Sequence, residues 1–222
     1  MTALVGVATR LALAKVALFV PGGAADVDTL APVIDAGVDL LVLEGSGDVD
    51  ADVEALHAIR GRWGSTTLLA GTASSKAAGP ASADVVHLRR PGWRFWGYPR
   101  GHEWSLLGRH AGDAGIVSSP GEDFDYLVVG PLSSSGDDLI GLAVESQPPL
   151  TDGALPWFAL GDFTIAQVDA VLSRGARRVA LTGDVLRRGD AAGEVRVVAE
   201  SVARAWAGDA RAHAYRAAAF RL

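Results

Sequence analysis

Eight times along this chain a short apolar or β-branched run stops at a glycine or a polar residue, and a helical or long connection follows. The runs cover 16–20, 38–43, 66–70, 84–88, 104–107, 125–129, 157–160 and 178–182. Between them, 27–34 and 50–63 carry apolar residues at helical spacing, and 164–173 is a helix ending at Gly175. The segments 72–83 and 111–123 are poor helices, a Pro, Gly and aromatic stretch replaces the helix at 91–103, and the tail from Glu194 is helical. Parallel strands need crossover connections, so this alternation predicts an α/β fold. Eight strands predict closure into a (β/α)8 TIM barrel, a single domain spanning 1–222. An open doubly wound sheet is the alternative. Its dinucleotide signal would have to be Pro21-Gly22-Gly23-Ala24, which lacks the required glycine spacing.

Composition narrows the function. Cysteine is absent, which excludes disulfides, thiolate metal sites and cysteine nucleophiles. The net charge of -6, with basic residues scattered, argues against nucleic acid and anionic membranes as partners. Residues 11–20 could pass for a signal-peptide core, but Lys15 interrupts them and 16–20 is needed as a strand. No apolar run reaches the ~18 residues of a membrane span. A cytoplasmic protein is expected.

Several segments, in order, resemble the thiamine phosphate synthase and thiazole tautomerase superfamily. They are Ala36-Gly37-Val38-Asp39, Ala83-Asp84-Val85-Val86-His87-Leu88, Asp125-Tyr126-Leu127-Val128-Val129-Gly130-Pro131, Pro156-Trp157-Phe158-Ala159-Leu160-Gly161 and Ala176-Arg177-Arg178-Val179-Ala180-Leu181. The resemblance implies a barrel joining a thiazole phosphate to a pyrimidine diphosphate in thiamine biosynthesis. It implies Mg²⁺ and basic residues around the leaving pyrophosphate. It also implies backbone N–H groups after the late strands that cradle a phosphate.

The chain departs from that pattern after most strands. Glu44 stands where the family's arginine is expected, and Ser46 where its lysine is. Gly71-Thr72 replaces an Asn-Asp pair, and Arg89-Arg90 follows the fourth strand without the metal-binding aspartate. The fifth strand leads into Gly108-Arg109-His110, and 133–137 has no lysine. No Mg²⁺ ligand set is found, so no cofactor is expected.

The candidate site follows. Arg109 and His110 are the candidate catalytic residues. Arg89 and Arg90 would join them in a cationic patch that binds phosphate oxygens, with a solvated rim and an Arg90–Glu103 pair as the alternative. Gly130, Gly161, Asp162, Thr182 and Gly183 form the candidate phosphate cradle. Asp162 and Asp184 would oppose a phosphate there, since like charges ~4 Å apart cost about 4 kcal/mol at an effective dielectric of 20. Alternatively Asp162 is the N-cap of the following helix. His87 reads as a core histidine, neutral and hydrogen-bonded. The four aromatics Trp93, Phe95, Trp96 and Tyr98 fit a lid over a flat heterocycle or a contact in a homo-oligomer. Ser133 to Ser135 resemble a closing loop.

Three functions are in contention. One is a divergent synthase-like transferase with a small-molecule ligand, a phosphorylated heterocycle. The second is a non-catalytic barrel that binds a ligand or partner. The third is another enzyme acting on a non-phosphorylated substrate.

Overall fold

The computed structural model describes residues 6–24, 26–90, 97–131 and 138–221. Strands β1 (Val16–Val20), β2 (Leu40–Leu43), β3 (Leu69–Thr72), β4 (Val85–Leu88), β5 (Leu106–Ala111), β6 (Tyr126–Val129), β7 (Trp157–Gly161) and β8 (Val179–Thr182) form a closed barrel in chain order. Every pair is parallel, and β1 closes the barrel by pairing with both β2 and β8. The TIM barrel expected from the alternation is therefore present.

The helices are α1 (Val7–Leu13), α2 (Val27–Asp35), α3 (Val49–Thr67), α4 (Ala114–Ser118), α5 (Leu139–Ser146), α6 (Ile165–Ser173), α7 (Ala191–Ala207) and α8 (Ala212–Ala219). Strand alternation sorts the core into two shells. Phe19, Val42, Val85, Tyr126, Phe158 and Ala180 fill the barrel interior. Leu18, Leu41, Leu127, Trp157 and Val179 face outward to the helices. Helix α1 reaches the inner shell through Leu11, with Ala14 just beyond its end, and so plugs the N-terminal floor.

A repeated device stitches that floor. An aspartate stands one residue before β2, β4 and β6, and its carboxylate accepts from the start of the preceding strand. Asp39 Oδ2 accepts from Lys15 N and Val16 N at 2.7 and 3.0 Å. Asp84 Oδ2 accepts from Ala70 N at 3.0 Å, and Asp125 Oδ2 from Leu107 N at 2.7 Å. The parallel ladder leaves these strand-starting N–H groups short of partners, and the carboxylate satisfies them. These aspartates belong to the motifs that carried the resemblance, and they serve the floor.

Several segments differ from the sequence reading. Helix α3 runs on to Thr67 through a kink at Gly64 (φ 65°), which moves β3 to Leu69–Thr72. Beyond Thr72, the last residue of β3, residues 73–83 form bends and turns rather than a helix. Strand β5 starts at Leu106 and runs to Ala111, so it contains both Arg109 and His110. Helices α1 and α5 were not foreseen, and the C-terminal helix is broken into α7 and α8 after Gly208.

Candidate functional site

Because β5 extends to Ala111, its side chains alternate across the barrel wall. Leu106 joins the inner shell, while Leu107 and Ala111 pack outside. Gly108 faces inward, and a Cβ there would lie 2.1 Å from Tyr126 Cζ, so the Tyr126 ring fills the space over it. His110 shares that parity. Arg109 has the opposite parity. Its Nη1 donates to Pro120 O at 2.6 Å, and its guanidinium lies 5.3 Å from the centre of the Phe124 ring. The expected four-residue patch is thus corrected. Arg109 sits in the outer layer, away from the mouth.

The mouth assembles from the remaining strand ends. Glu44 follows β2, and its backbone N–H donates to Val20 O at 2.8 Å, extending the β1–β2 ladder by one residue. Arg89 follows β4 and forms an ion pair with Glu44. His110 is half-buried and its pKa is lowered. Burial contributes most, then the positive charge of Arg89, with Glu44 acting in the opposite direction. Arg90 is exposed at the same rim.

Beneath them lies a stack of rings. His87 meets Phe19 edge-on at 4.9 Å, His110 at 6.4 Å and Tyr126 at 5.8 Å, and Tyr126 meets Phe158 at 6.0 Å. His87 Nδ1 lies 3.2 Å from the Tyr126 hydroxyl. His87 is 1% exposed, and burial, then His110 and Arg89, lower its pKa to about 3. Burial, then Asp125, raises the Tyr126 pKa. Both are neutral at pH 7, so the interior below the mouth is aromatic and uncharged. His87 is the hydrogen-bonded core histidine that the sequence suggested.

Across the mouth, Thr164 rather than Asp162 caps α6, through a capping box with Gln167. Asp162 pairs with Arg188, which also donates to Phe163 O at 3.0 Å and to Glu194 Oε2 at 2.5 Å. Asp184 pairs with Arg187. The repulsion expected from Asp162 and Asp184 is therefore offset by one arginine each. Thr182 Oγ1 donates to Asp184 Oδ2 at 3.4 Å.

Packing accounts for two of the three glycines placed in the phosphate cradle. A Cβ on Gly161 would meet the Phe163 ring at 2.6 Å, and one on Gly183 would meet Pro21 Cδ at 2.7 Å. Gly130 has φ 138°, a backbone that favours glycine, and its N–H donates to Ala111 O at 3.1 Å. Trp93, Phe95, Trp96 and Ser133 to Ser135 lie outside the described residues. Tyr98 packs on Phe124 at 5.4 Å in the outer layer.

Among the described residues, no three His, Asp or Glu side chains group to hold a metal ion. The mouth carboxylates Glu44, Asp162 and Asp184 are each engaged by an arginine and do not fit a protein-held Mg²⁺. A cavity of about 260 Å³ lies at the opposite end, between α1, α8 and the loop before β7. Its walls, among them Leu11, Phe124 and Ala219, are mainly apolar and bring no acid–base pair together. No described helix is long and apolar enough to cross a membrane.

The sequence reading missed Glu44 as Arg89's partner and Arg188 as Asp162's. Strand parity could have placed Tyr126 inside the barrel, since Tyr126 and Val128 alternate with Leu127 and Val129.

No family model matches the chain. It is 31% identical over 166 residues to a thiamine-phosphate synthase of Mycobacterium sp. (strain JLS), covering 64% of this chain and 71% of that relative. It is 38% identical over 93 residues to the thiamine-phosphate synthase of Prochlorococcus marinus (strain MIT 9303), covering 39% of this chain but only 26% of that relative's length. The fold matches the solved thiamine phosphate pyrophosphorylase from Pyrococcus furiosus with a TM-score of 0.73 at 15% identity, over 88% of this chain and 98% of that one. With the closed barrel and a relative at that identity matched over more than two thirds of its length, the chain belongs to the thiamine-phosphate synthase family.

Proposed function

We propose that the protein binds a phosphorylated heterocycle at the C-terminal mouth of the barrel and acts in thiamine-phosphate chemistry. One observation carries this reading. Arg89, just past the end of β4, and His110, on the inward-facing side of the adjacent strand β5, stand at the mouth over the buried ring stack of Phe19, His87 and Tyr126, and His110 meets His87 at 6.4 Å. A guanidinium and a neutral imidazole suit a phosphate oxygen pair, and flat apolar rings suit the heterocycle. The family's names point to the same ligand class.

The transfer reaction would join a thiazole phosphate to a pyrimidine diphosphate as pyrophosphate leaves. In it, Arg89 would hold the departing anion and His110 would donate a hydrogen bond to it. The buried rings exclude water from the reacting centre, which strengthens both contacts. Mg²⁺, when bound by the diphosphate itself, would supply further charge neutralisation.

A second reading, binding without turnover, is favoured by the outward orientation of Arg109 and by the pairing of Glu44, Asp162 and Asp184 with an arginine each. Two measurements separate the readings. Calorimetric titration with pyrophosphate and thiamine phosphate is expected to give binding that Arg89→Gln weakens about tenfold or more. A product assay with both thiamine precursors and Mg²⁺ then decides. Turnover that His110→Ala abolishes establishes the transferase. Intact binding with no product at high protein concentration establishes the binding barrel.

A further inference from the structure

Three carboxylate–arginine pairs stand at the mouth, and they are not alike. Asp184–Arg187 lies within one turn, three residues apart. In the Asp162 pair, Arg188 is shared with Glu194 and tied to the Phe163 carbonyl. Glu44–Arg89 links residues 45 apart in sequence, from the end of β2 to the end of β4. Its two partners are held differently. Glu44 is fixed by its backbone bond to Val20, and its side chain is only 22% exposed. The Arg89 side chain is 63% exposed. The cation that reaches solvent is therefore bridged by a carboxylate anchored to the barrel wall.

We infer that Glu44 is a specificity-determining residue, an internal carboxylate that competes with ligands for Arg89 and so admits phosphoryl groups while excluding monocarboxylates. This rests on the reading of the mouth as an anion site. A monocarboxylate offers Arg89 the same planar acceptor pair that Glu44 already provides, and it must also lose its translational freedom. The exchange then gains nothing. A phosphate monoester or diphosphate brings more charge and a third acceptor oxygen, which can reach His110 while two others engage the guanidinium. Because the Arg89 half of the pair is 63% exposed, solvent screens the pair, and the stronger anion can reach the guanidinium and displace Glu44. His110 stands within the electrostatic reach of both members, so the release of Glu44 is felt at the residue that would share the ligand.

The test titrates pyrophosphate and benzoate into the intact protein and into Glu44→Gln, Arg89→Gln and the double variant, with circular dichroism to verify folding. Glu44→Gln is expected to tighten pyrophosphate about fivefold and to make benzoate binding measurable. In the Arg89→Gln background, the same change is expected to alter pyrophosphate affinity by less than about twofold. If the intact protein binds pyrophosphate and Glu44→Gln changes neither ligand, the inference is overturned. An equal gain with and without Arg89 also overturns it, because Glu44 then acts as a general repulsive field. If none of the four proteins binds pyrophosphate, the anion-site reading itself is lost. Should Glu44→Gln not fold, Glu44→Asp decides, since it keeps the charge but shortens its reach to Arg89. Tighter pyrophosphate in that variant supports competition, and unchanged affinity refutes it.

Discussion

Arg178 and Arg89 sit at opposite ends of one barrel, and their surroundings are opposite in kind. At the floor, Arg178 is 1% exposed. Its Nε donates to Ala14 O at 2.9 Å, and its Nη2 to Ala12 O at 2.7 Å and to the Tyr215 hydroxyl at 3.1 Å. It also lies 5.1 Å from the centre of the Trp206 ring. Burial lowers its pKa, and Tyr215 offsets part of that. At the mouth, Arg89 is exposed and holds a single carboxylate. A buried cation needs fixed partners because nothing else solvates it, whereas an exposed one can exchange its partner. The floor arginine is thereby committed to the fold, joining α1, β8, α7 and α8, whereas the mouth arginine is held by one ion pair to Glu44.

Three substitutions test that division. The largest effect is expected at Arg178. Arg178→Met keeps the stem but removes the donors to two carbonyls of the floor plug, and it should cost about 3 kcal/mol in urea unfolding. A loss below about 1 kcal/mol would mean that the plug holds without it and that the floor is not stitched as described.

The next effect lies between the two ends, at His87, and it is read through pH. Its folded pKa is about 3, against an ordinary value near 6.5. Below pH 6.5 the unfolded chain takes up a proton that the folded barrel refuses. Stability from this residue is therefore full above that pH and is lost as pH falls toward 3. Between pH 6.5 and 5 the loss should be roughly 1.5 kcal/mol. His87→Gln, which can still bond to Tyr126, should remove that part of the acid sensitivity. Parallel stability–pH curves for the two proteins would show that the interior is wetter than the ring stack implies.

The smallest stability effect is expected at the mouth. Arg89→Gln should change unfolding free energy by less than about 1 kcal/mol, because partly exposed ion pairs contribute little. Its consequence belongs to pyrophosphate affinity instead. A stability loss comparable to that of Arg178→Met would erase the contrast between the two arginines.

Much of the barrel was legible because its signals are local. The apolar run 16–20 matches β1 without adjustment, and the motifs holding Asp39, Asp84 and Asp125 each run directly into a strand. Helix α1 was hidden because its apolar residues run nearly into β1, and α5 because its N-cap, Asp138, closes a polar stretch that reads as one long loop. The site was only partly legible. Ending β5 at Leu107 put Arg109 and His110 together beyond the strand. Extending it to Ala111 sends their side chains to opposite faces, because strand neighbours alternate.

The sequence by itself determined the alternation of strands and helices and the glycines at strand ends, since each depends on neighbours a few residues away. Only the tertiary structure decided which charges meet. Glu44 finds Arg89 across 45 residues and Asp162 finds Arg188 across 26. Those meetings depend on how the closed barrel brings strand ends together at one rim, and no local pattern of residues encodes that distance.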